Sequence, residues 1–215
     1  MISASVAGPD GEPARGDACL VTGTGAVKAI WPLGPDGRAH IEAGGADFLL
    51  VRCVEPVIAA KAVRLVPGDA EVDVVIEATE VVGLSGAIAV PLGTEFDWVD
   101  LHVTPRRLEW VPDALQRALL AVDTGAAMRG TYWSRRLREP RFDLRVARGL
   151  HGLRVSRFHD GPLTAGGLRR NLTAAQVTAT PALEVHESFG EFELQLDADA
   201  EVLVTMRSVS VAEQT

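Results

Sequence analysis

Strict alternation of apolar and polar residues recurs along this chain and predicts β-strands. The clearest runs cover residues 71–77, 98–104, 141–147 and 191–197, and a similar run over 202–206 approaches the C-terminus. Because successive side chains of a strand point to opposite faces of a sheet, this period predicts half-buried antiparallel strands with one wet face. We therefore expect a mainly β protein with an antiparallel β-sandwich or jelly-roll-like core.

One stretch has helical spacing instead. Pro112 suits a first helical position, Leu115, Leu119 and Val122 then recur on one face, and Gly125 suits a C-terminal stop. These residues predict a short amphipathic helix at about 112–124. A weaker capping pattern, Thr173 with Gln176, predicts a second short helix over 171–177.

Turn residues separate the predicted strands. The tetrapeptide Gly-Pro-Asp-Gly occurs at 8–11 and at 34–37, so residues 1–45 are expected to contain hairpins. A further hairpin is expected at about 141–158. No linker divides the chain, which favours one β-rich domain over residues 1–215, with two small β-domains split near 106–130 as the alternative.

Charge is distributed in three blocks. Residues 1–105 carry 6 basic and 15 acidic residues, residues 106–170 carry 14 and 6, and residues 171–215 carry 1 and 8. The basic middle, 106–170, therefore has a formal charge of +8 between blocks of -9 and -7. Such asymmetry indicates either neutralisation within the fold or an electrostatic docking surface for an acidic partner.

Arginine dominates the basic middle and suggests an interface. Its planar guanidinium and nearby aromatic residues suit protein–protein contacts, and acidic segments of another copy would complement them. We expect a homo-oligomer or larger assembly of protein subunits. Nucleic acid is a less favoured partner, because the sequence pI is about 5.1. The predicted interface residues are Arg135, Arg136, Arg138, Arg141, Arg145 and Arg154.

A weaker candidate site lies on the predicted strand at 98–104. Alternation places Trp98, Asp100 and His102 on one face, where they could stack on and hydrogen-bond a sugar. If Glu184 and His186 lay on a neighbouring strand, the four polar residues could ligate a divalent metal in a cupin-like enzyme. The favoured interpretation is a polar outer face without metal or cofactor, since metal-ligand spacing is poor.

The remaining chemistry is sparse. Cys19 and Cys53 do not make a disulfide framework, and Cys53 sits in an apolar run that predicts a buried thiol. Phosphate-binding, dinucleotide-binding, zinc and nucleophile-elbow motifs are missing from the sequence. No secretory signal or membrane span is expected, which predicts cytoplasmic synthesis.

Three hypotheses follow for the function. The first is a non-enzymatic β-rich structural or binding component of a larger assembly, with bacteriophage-type capsid, tail or spike accessory proteins as the analogy. The second is a carbohydrate- or ligand-binding β-sandwich that uses the Trp98 face. The third is the metal-dependent enzyme.

Overall fold

The computed structural model describes residues 1–42, 44–91, 99–129, 134–157, 170–183, 185–188 and 191–210. These residues form sixteen β-strands and one α-helix, α1 (Asp113–Arg129). The strands are β1 (Ile2–Ala7), β2 (Arg15–Val21), β3 (Val27–Pro32), β4 (Arg38–Ile41), β5 (Phe48–Glu55), β6 (Ala59–Arg64), β7 (Glu71–Val75), β8 (Val81–Ala89), β9 (Val99–Leu108), β10 (Ser134–Leu137), β11 (Arg141–Ala147), β12 (Gly149–Arg157), β13 (Arg170–Thr180), β14 (Val185–Ser188), β15 (Glu191–Leu196) and β16 (Ala200–Ser210).

The strands form three sheets, which confirms the prediction of a mainly β, largely antiparallel fold with a helix. One sheet has the order β4-β1-β7 and a second has the order β3-β2-β5-β6. The third and longest runs β10-β9-β12-β13-β16-β8-β11, with β15 on β12 and β14 on β15. Two pairs, β1 with β7 and β8 with β16, are parallel rather than antiparallel.

The chain divides into two compact units. The first unit is Met1–Val82, Pro105–Trp133 and Leu144–Leu150, and the second is Gly83–Thr104, Ser134–Asp143 and His151–Thr215. The expectation of a single domain stays a prediction. Among the described residues, no helix is both long enough and apolar enough to cross a membrane.

The central strands of the first unit are buried on both faces. Most of β2 and β5 is inaccessible, and their sequences accordingly read as near-continuous apolar runs. Leu20 lines a cavity together with Ile2 of β1, and Lys61 of β6 donates to the Val75 carbonyl of β7. One face of the β3-β2-β5-β6 sheet therefore meets the β4-β1-β7 sheet, and α1 packs against β2 and β3.

An ion pair is enclosed between β2 and β5. Asp17 and Arg52 are directly opposite each other in the strand register, and both are fully buried. Arg52 donates from Nε and Nη2 to Asp17 Oδ2 at 3.1 and 2.6 Å. Direct hydrogen bonds compensate part of the cost of removing two charges from water.

Helix α1 buries the predicted face. Leu115, Ala118, Leu119 and Val122 are all buried in the core of the first unit. The helix begins at Asp113, one residue after the predicted first position at Pro112, and it continues through Gly125 to Arg129. The predicted stop at Gly125 was therefore wrong, because an interior glycine costs a helix only about 1 kcal/mol relative to alanine.

Two other local expectations were wrong. Residues 171–177 belong to strand β13 rather than to a helix, because β13 pairs along most of its length with β16. The predicted hairpin at 141–158 does not form, since β11 lies next to β8 while β12 lies between β9 and β13. Long-range strand pairing overrides the local pattern in both places.

The N-terminal part contains a hairpin, but not at either of the Gly-Pro-Asp-Gly turns where hairpins were expected. Strands β2 and β3 pair around the turn at 22–25, where Ala26 N–H donates to the Thr22 hydroxyl at 3.0 Å. The two Gly-Pro-Asp-Gly turns have another role. Each connects a strand of one sheet of the first unit to a strand of the other, β1 to β2 and β3 to β4.

Candidate docking surface

The predicted interface arginines do not share one hairpin face. Arg138, Arg141 and Arg154 are exposed. Arg145 instead pairs with Asp10 of the first Gly-Pro-Asp-Gly turn, at 2.6 Å between Nη1 and Oδ2. The positive charge of Arg145 is thus neutralised within the first unit.

Two further interface arginines, Arg135 and Arg136, lie on β10. The register places Arg136 opposite Asp100 of β9, and Arg135 opposite Leu101. The side chains of both arginines lie outside the described residues. Their role in a contact stays a prediction.

The second predicted site is only partly described. Trp98 lies outside the described residues, so the carbohydrate hypothesis built on it stays a prediction. Asp100 and His102 are half-buried on the same face of β9. Burial lowers the pKa of His102, and the positive charge of Arg154 lowers it further, while Asp100 and Glu191 act in the opposite sense. His102 is therefore largely neutral near pH 7.

The structure does not bring His102 and His186 together, as the metal hypothesis requires. The hypothesis required the strand of His102 to neighbour the strand of His186, but β12 and β15 separate β9 from β14. Three strand spacings correspond to roughly 14 Å, far beyond the span of one metal's ligands. Glu184 lies outside the described residues. Within the described ranges, no group of three or more potential ligand side chains is close enough to hold a metal ion.

The cysteines are buried and unsuited to nucleophilic chemistry. Cys19 and Cys53 are both fully inaccessible in the first unit. Burial raises the pKa of Cys53 to about 12, an effect that the nearby Arg52 charge only partly offsets. The thiolate that nucleophilic attack requires is therefore nearly absent at neutral pH.

One face of strands β13, β16 and β8 in the second unit is largely accessible to water. In the register, Leu203 lies between Thr178 and Ala87, and Glu201 lies between Thr180 and Ser85. Alternate residues, such as Val202 and Val204, are buried on the opposite face. We call the accessible set the outer face; its half-buried members are Ser85 and Ala87, and its exposed members are Ala89, Gln176, Thr178, Thr180, Glu201, Leu203, Thr205 and Arg207.

The outer face is composed mostly of small, uncharged side chains. Leu203 is its large apolar residue and remains 45% exposed, and Glu201 and Arg207 are its charged residues. A sheet face that meets only water is usually rich in charged side chains, whereas depletion of charge is typical of the core of a protein interface. The composition of this face therefore fits contact with another protein.

A shallow trough borders the outer face between β16, β8 and β11. It has a volume of about 500 Å³, and its lining includes Ser85 and Ala87. A Cβ atom on Gly86 would approach the Phe142 ring to 2.6 Å, so the missing side chain lets Phe142 pack beneath the trough. The complete lining is Ser85, Gly86, Ala87, Arg141, Phe142, Asp143 and Glu201.

Three charged groups of the trough are available to a partner. In the described part of the chain, the side chains of Arg141, Asp143 and Glu201 form no ion pair or hydrogen bond, with one another or with other groups. The trough thus offers one cation and two carboxylates. Two carboxylates beside the arginine disfavour a phosphate backbone as the occupant.

Sequence reasoning found Arg141 but missed the rest of this surface. It identified the alternation at 202–206, yet it did not follow the opposite face, where Glu201, Leu203 and Thr205 alternate with the buried residues. The leucine at 203 was the available signal, because it is a large apolar residue at a wet-face position. The pairing of β16 with β8, which brings Ser85 and Ala87 alongside, could not be read from local pattern.

No protein-family model matches the chain, and no curated protein matches it either. Among solved structures, the TIE protein of Bacillus anthracis is similar over 97% of this chain and 34% of its own, with a TM-score of 0.30 and 8% identity. This chain thus spans about a third of that protein.

Two pilins are similar to this chain over nearly the full length of both proteins. The minor pilin GBS52 of Streptococcus agalactiae is similar over 97% of both chains, with a TM-score of 0.27 and 11% identity. The major pilin T-13 of Streptococcus pyogenes is similar over 95% of both, with a TM-score of 0.27 and 10% identity. Likenesses at such low TM-scores carry no argument about this chain.

Proposed function

We propose that this chain is a non-enzymatic structural or binding subunit of a larger protein assembly, and that it docks through the outer face. The observation that carries the proposal is Leu203, exposed on the middle strand of a sheet face made mostly of small, uncharged residues. Single exposed leucines are common on protein surfaces. Leu203 differs because it is surrounded by a surface that is poor in charge, and because it lies near the unpaired charges of the trough, with which a partner could form ion pairs.

The chemistry of the described residues supports the same assignment. Both thiols are buried, and His102 and His186 lie on strands that are not neighbours. The exposed arginines Arg138, Arg141 and Arg154 remain candidates for the rim of the contact, where charge steers association. A virion-type accessory role, with cytoplasmic synthesis, is the finer form of the proposal and rests on analogy of architecture.

The proposal is tested in the cells that make the protein. The natural chain is replaced by a Leu203→Glu variant, and the native size of the complex that contains it is measured by gel filtration with detection of this chain. Val66→Glu is the matched control, because Val66 is also an exposed apolar residue, but in the first unit.

We expect the wild-type chain and Val66→Glu to elute in a complex much larger than 22.9 kDa, and Leu203→Glu to elute as the free chain. A wild-type chain that elutes at 22.9 kDa would contradict the proposal. Equal incorporation of Leu203→Glu and the control would contradict the outer face as the docking surface.

A further inference from the structure

We infer that the occupant of the trough is a second copy of this chain, docked face to face about a two-fold axis. The inference rests on the proposed function, since it identifies a partner for the same outer face. Its first support is charge. Arg141 and Glu201 line one trough without pairing, so each is free to pair with the opposite charge of a partner.

A second copy supplies both complementary charges from one surface. In an isologous contact, residue i of one copy meets residue j of the other, and j meets i. Arg141 can therefore meet Glu201 of the other copy while Glu201 meets the other Arg141. An unrelated partner would need to carry the same mixed pattern independently.

The strand register gives the contact a definite geometry. Ala87 and Leu203 are neighbours across β8 and β16, at the same level along the two strands, and so are Ser85 and Glu201. The proposed two-fold axis is parallel to the strands, lies above the outer face and runs midway between β8 and β16. When the two packed sheets are viewed from above, β16 of one copy lies over β8 of the other. This arrangement places Leu203 of one copy over Ala87 of the other, and Glu201 over Ser85, beside Arg141.

The side-chain sizes permit the approach. Packed sheets lie about 10 Å apart, which requires that large side chains of one face meet small ones of the other. Leu203 is the large residue near the axis, and Ala87 is the small residue that the rotation brings opposite. The small side chains of Ser85 and Ala87 line a trough of about 500 Å³, which leaves room for the incoming Glu201 and Leu203.

The test is a charge exchange in the purified full chain. Sedimentation equilibrium is measured over a wide concentration range for the wild type, Arg141→Glu, Glu201→Arg and the double variant with both changes. Arg38→Glu is the control for the change in net charge, because Arg38 is exposed in the first unit. Circular dichroism and urea unfolding verify that each variant is folded.

We expect the wild type to form a dimer of twice 22.9 kDa. Each single reversal should weaken dimerisation about tenfold, because two symmetric exposed pairs become repulsive. The double variant should recover wild-type dimerisation, and Arg38→Glu should leave it unchanged.

A wild type that stays monomeric at every concentration overturns the second copy as the occupant. So does a dimer that the single reversals weaken no more than Arg38→Glu does, or one that the double variant fails to restore. Either result leaves the proposed function standing if Leu203→Glu still releases the chain from its native complex. The proposed function would instead be contradicted if the double variant restored dimerisation but Leu203→Glu failed to release the chain from its native complex.

Discussion

Strands β2 and β5 of the first unit are buried on both faces, whereas β13, β16 and β8 of the second unit are buried on one face only. The first arrangement accommodates a charge only as a buried pair, Asp17 with Arg52. The second leaves Arg141, Asp143 and Glu201 exposed to a partner. The comparison indicates that the buried ion pair of the first unit serves the fold, and that the charges beside the outer face are available for binding.

The largest loss of stability is expected from breaking the buried ion pair between β2 and β5. Arg52→Met leaves the Asp17 carboxylate buried without its cation, and should reduce the free energy of unfolding by about 3–5 kcal/mol. Urea denaturation measures the change. The double variant Asp17→Leu/Arg52→Met should recover most of the loss; a single variant that costs less than about 1 kcal/mol would show that the pair is not buried.

The helix that covers the first unit offers the next comparison. Leu119→Ala removes a buried side chain and should cost about 2–5 kcal/mol, since the cavity it leaves cannot fully collapse. The adjacent Leu120→Ala is the control and should cost under about 0.5 kcal/mol, because Leu120 is exposed. Equal losses in urea denaturation would contradict the packing of α1.

Adjacent residues of β16 sharpen the contrast between the two faces of the second unit. Val204→Ala should cost roughly 1–3 kcal/mol, because Val204 is fully buried. Leu203→Ala should cost under about 0.5 kcal/mol in the isolated chain. If Leu203→Ala proved the more destabilising of the two in urea denaturation, the assignment of inner and outer faces would be wrong.

The smallest effect concerns His102, a half-buried group whose pKa lies below the ordinary 6.5. The unfolded chain binds the histidine proton more readily than the folded chain, so stability should fall as pH drops through about 6.5 toward the lowered folded pKa. His102→Gln should lose less stability than the wild type when urea denaturation is repeated at about pH 7.5 and about pH 5.5. Equal losses in both proteins would remove His102 as the cause.

Elements with strong periodicity were predictable from the sequence. The alternating runs that correspond to β7, β9, β11, β15 and β16 form strands, and the spacing of Leu115, Leu119 and Val122 gives the buried face of α1. In each case a local pattern coincides with one buried face, and burial of that face dominates the energy.

Features set by distant pairing were not predictable. Residues 171–177 have weak local preference, so their ladder with β16 decides that they are a strand. Likewise β11 and β12 follow each other in sequence but pair elsewhere in the long sheet. The ion pair did leave a trace, because a charged residue inside an apolar run, as Arg52 is between Val51 and Cys53, requires a buried partner.

Only part of the candidate surface was predictable from the sequence, because the rest is formed by contacts between distant residues. The charge blocks directed attention to the arginines, and Arg141 does line the trough. Arg145, equally basic in sequence, is paired with Asp10 from a turn 135 residues away. Which charges remain available is decided by tertiary contacts, which the blocks do not encode.

The central claim is that the outer face is covered by protein in the native assembly. Hydroxyl-radical footprinting measures this directly by comparing the oxidation of Leu203 in the native complex and in the isolated chain, with Val66 as the internal reference. We expect Leu203 to be protected several-fold in the complex while Val66 reacts equally in both samples. Equal oxidation of Leu203 in the two samples would contradict the account, because the outer face would then be exposed to water in the assembly.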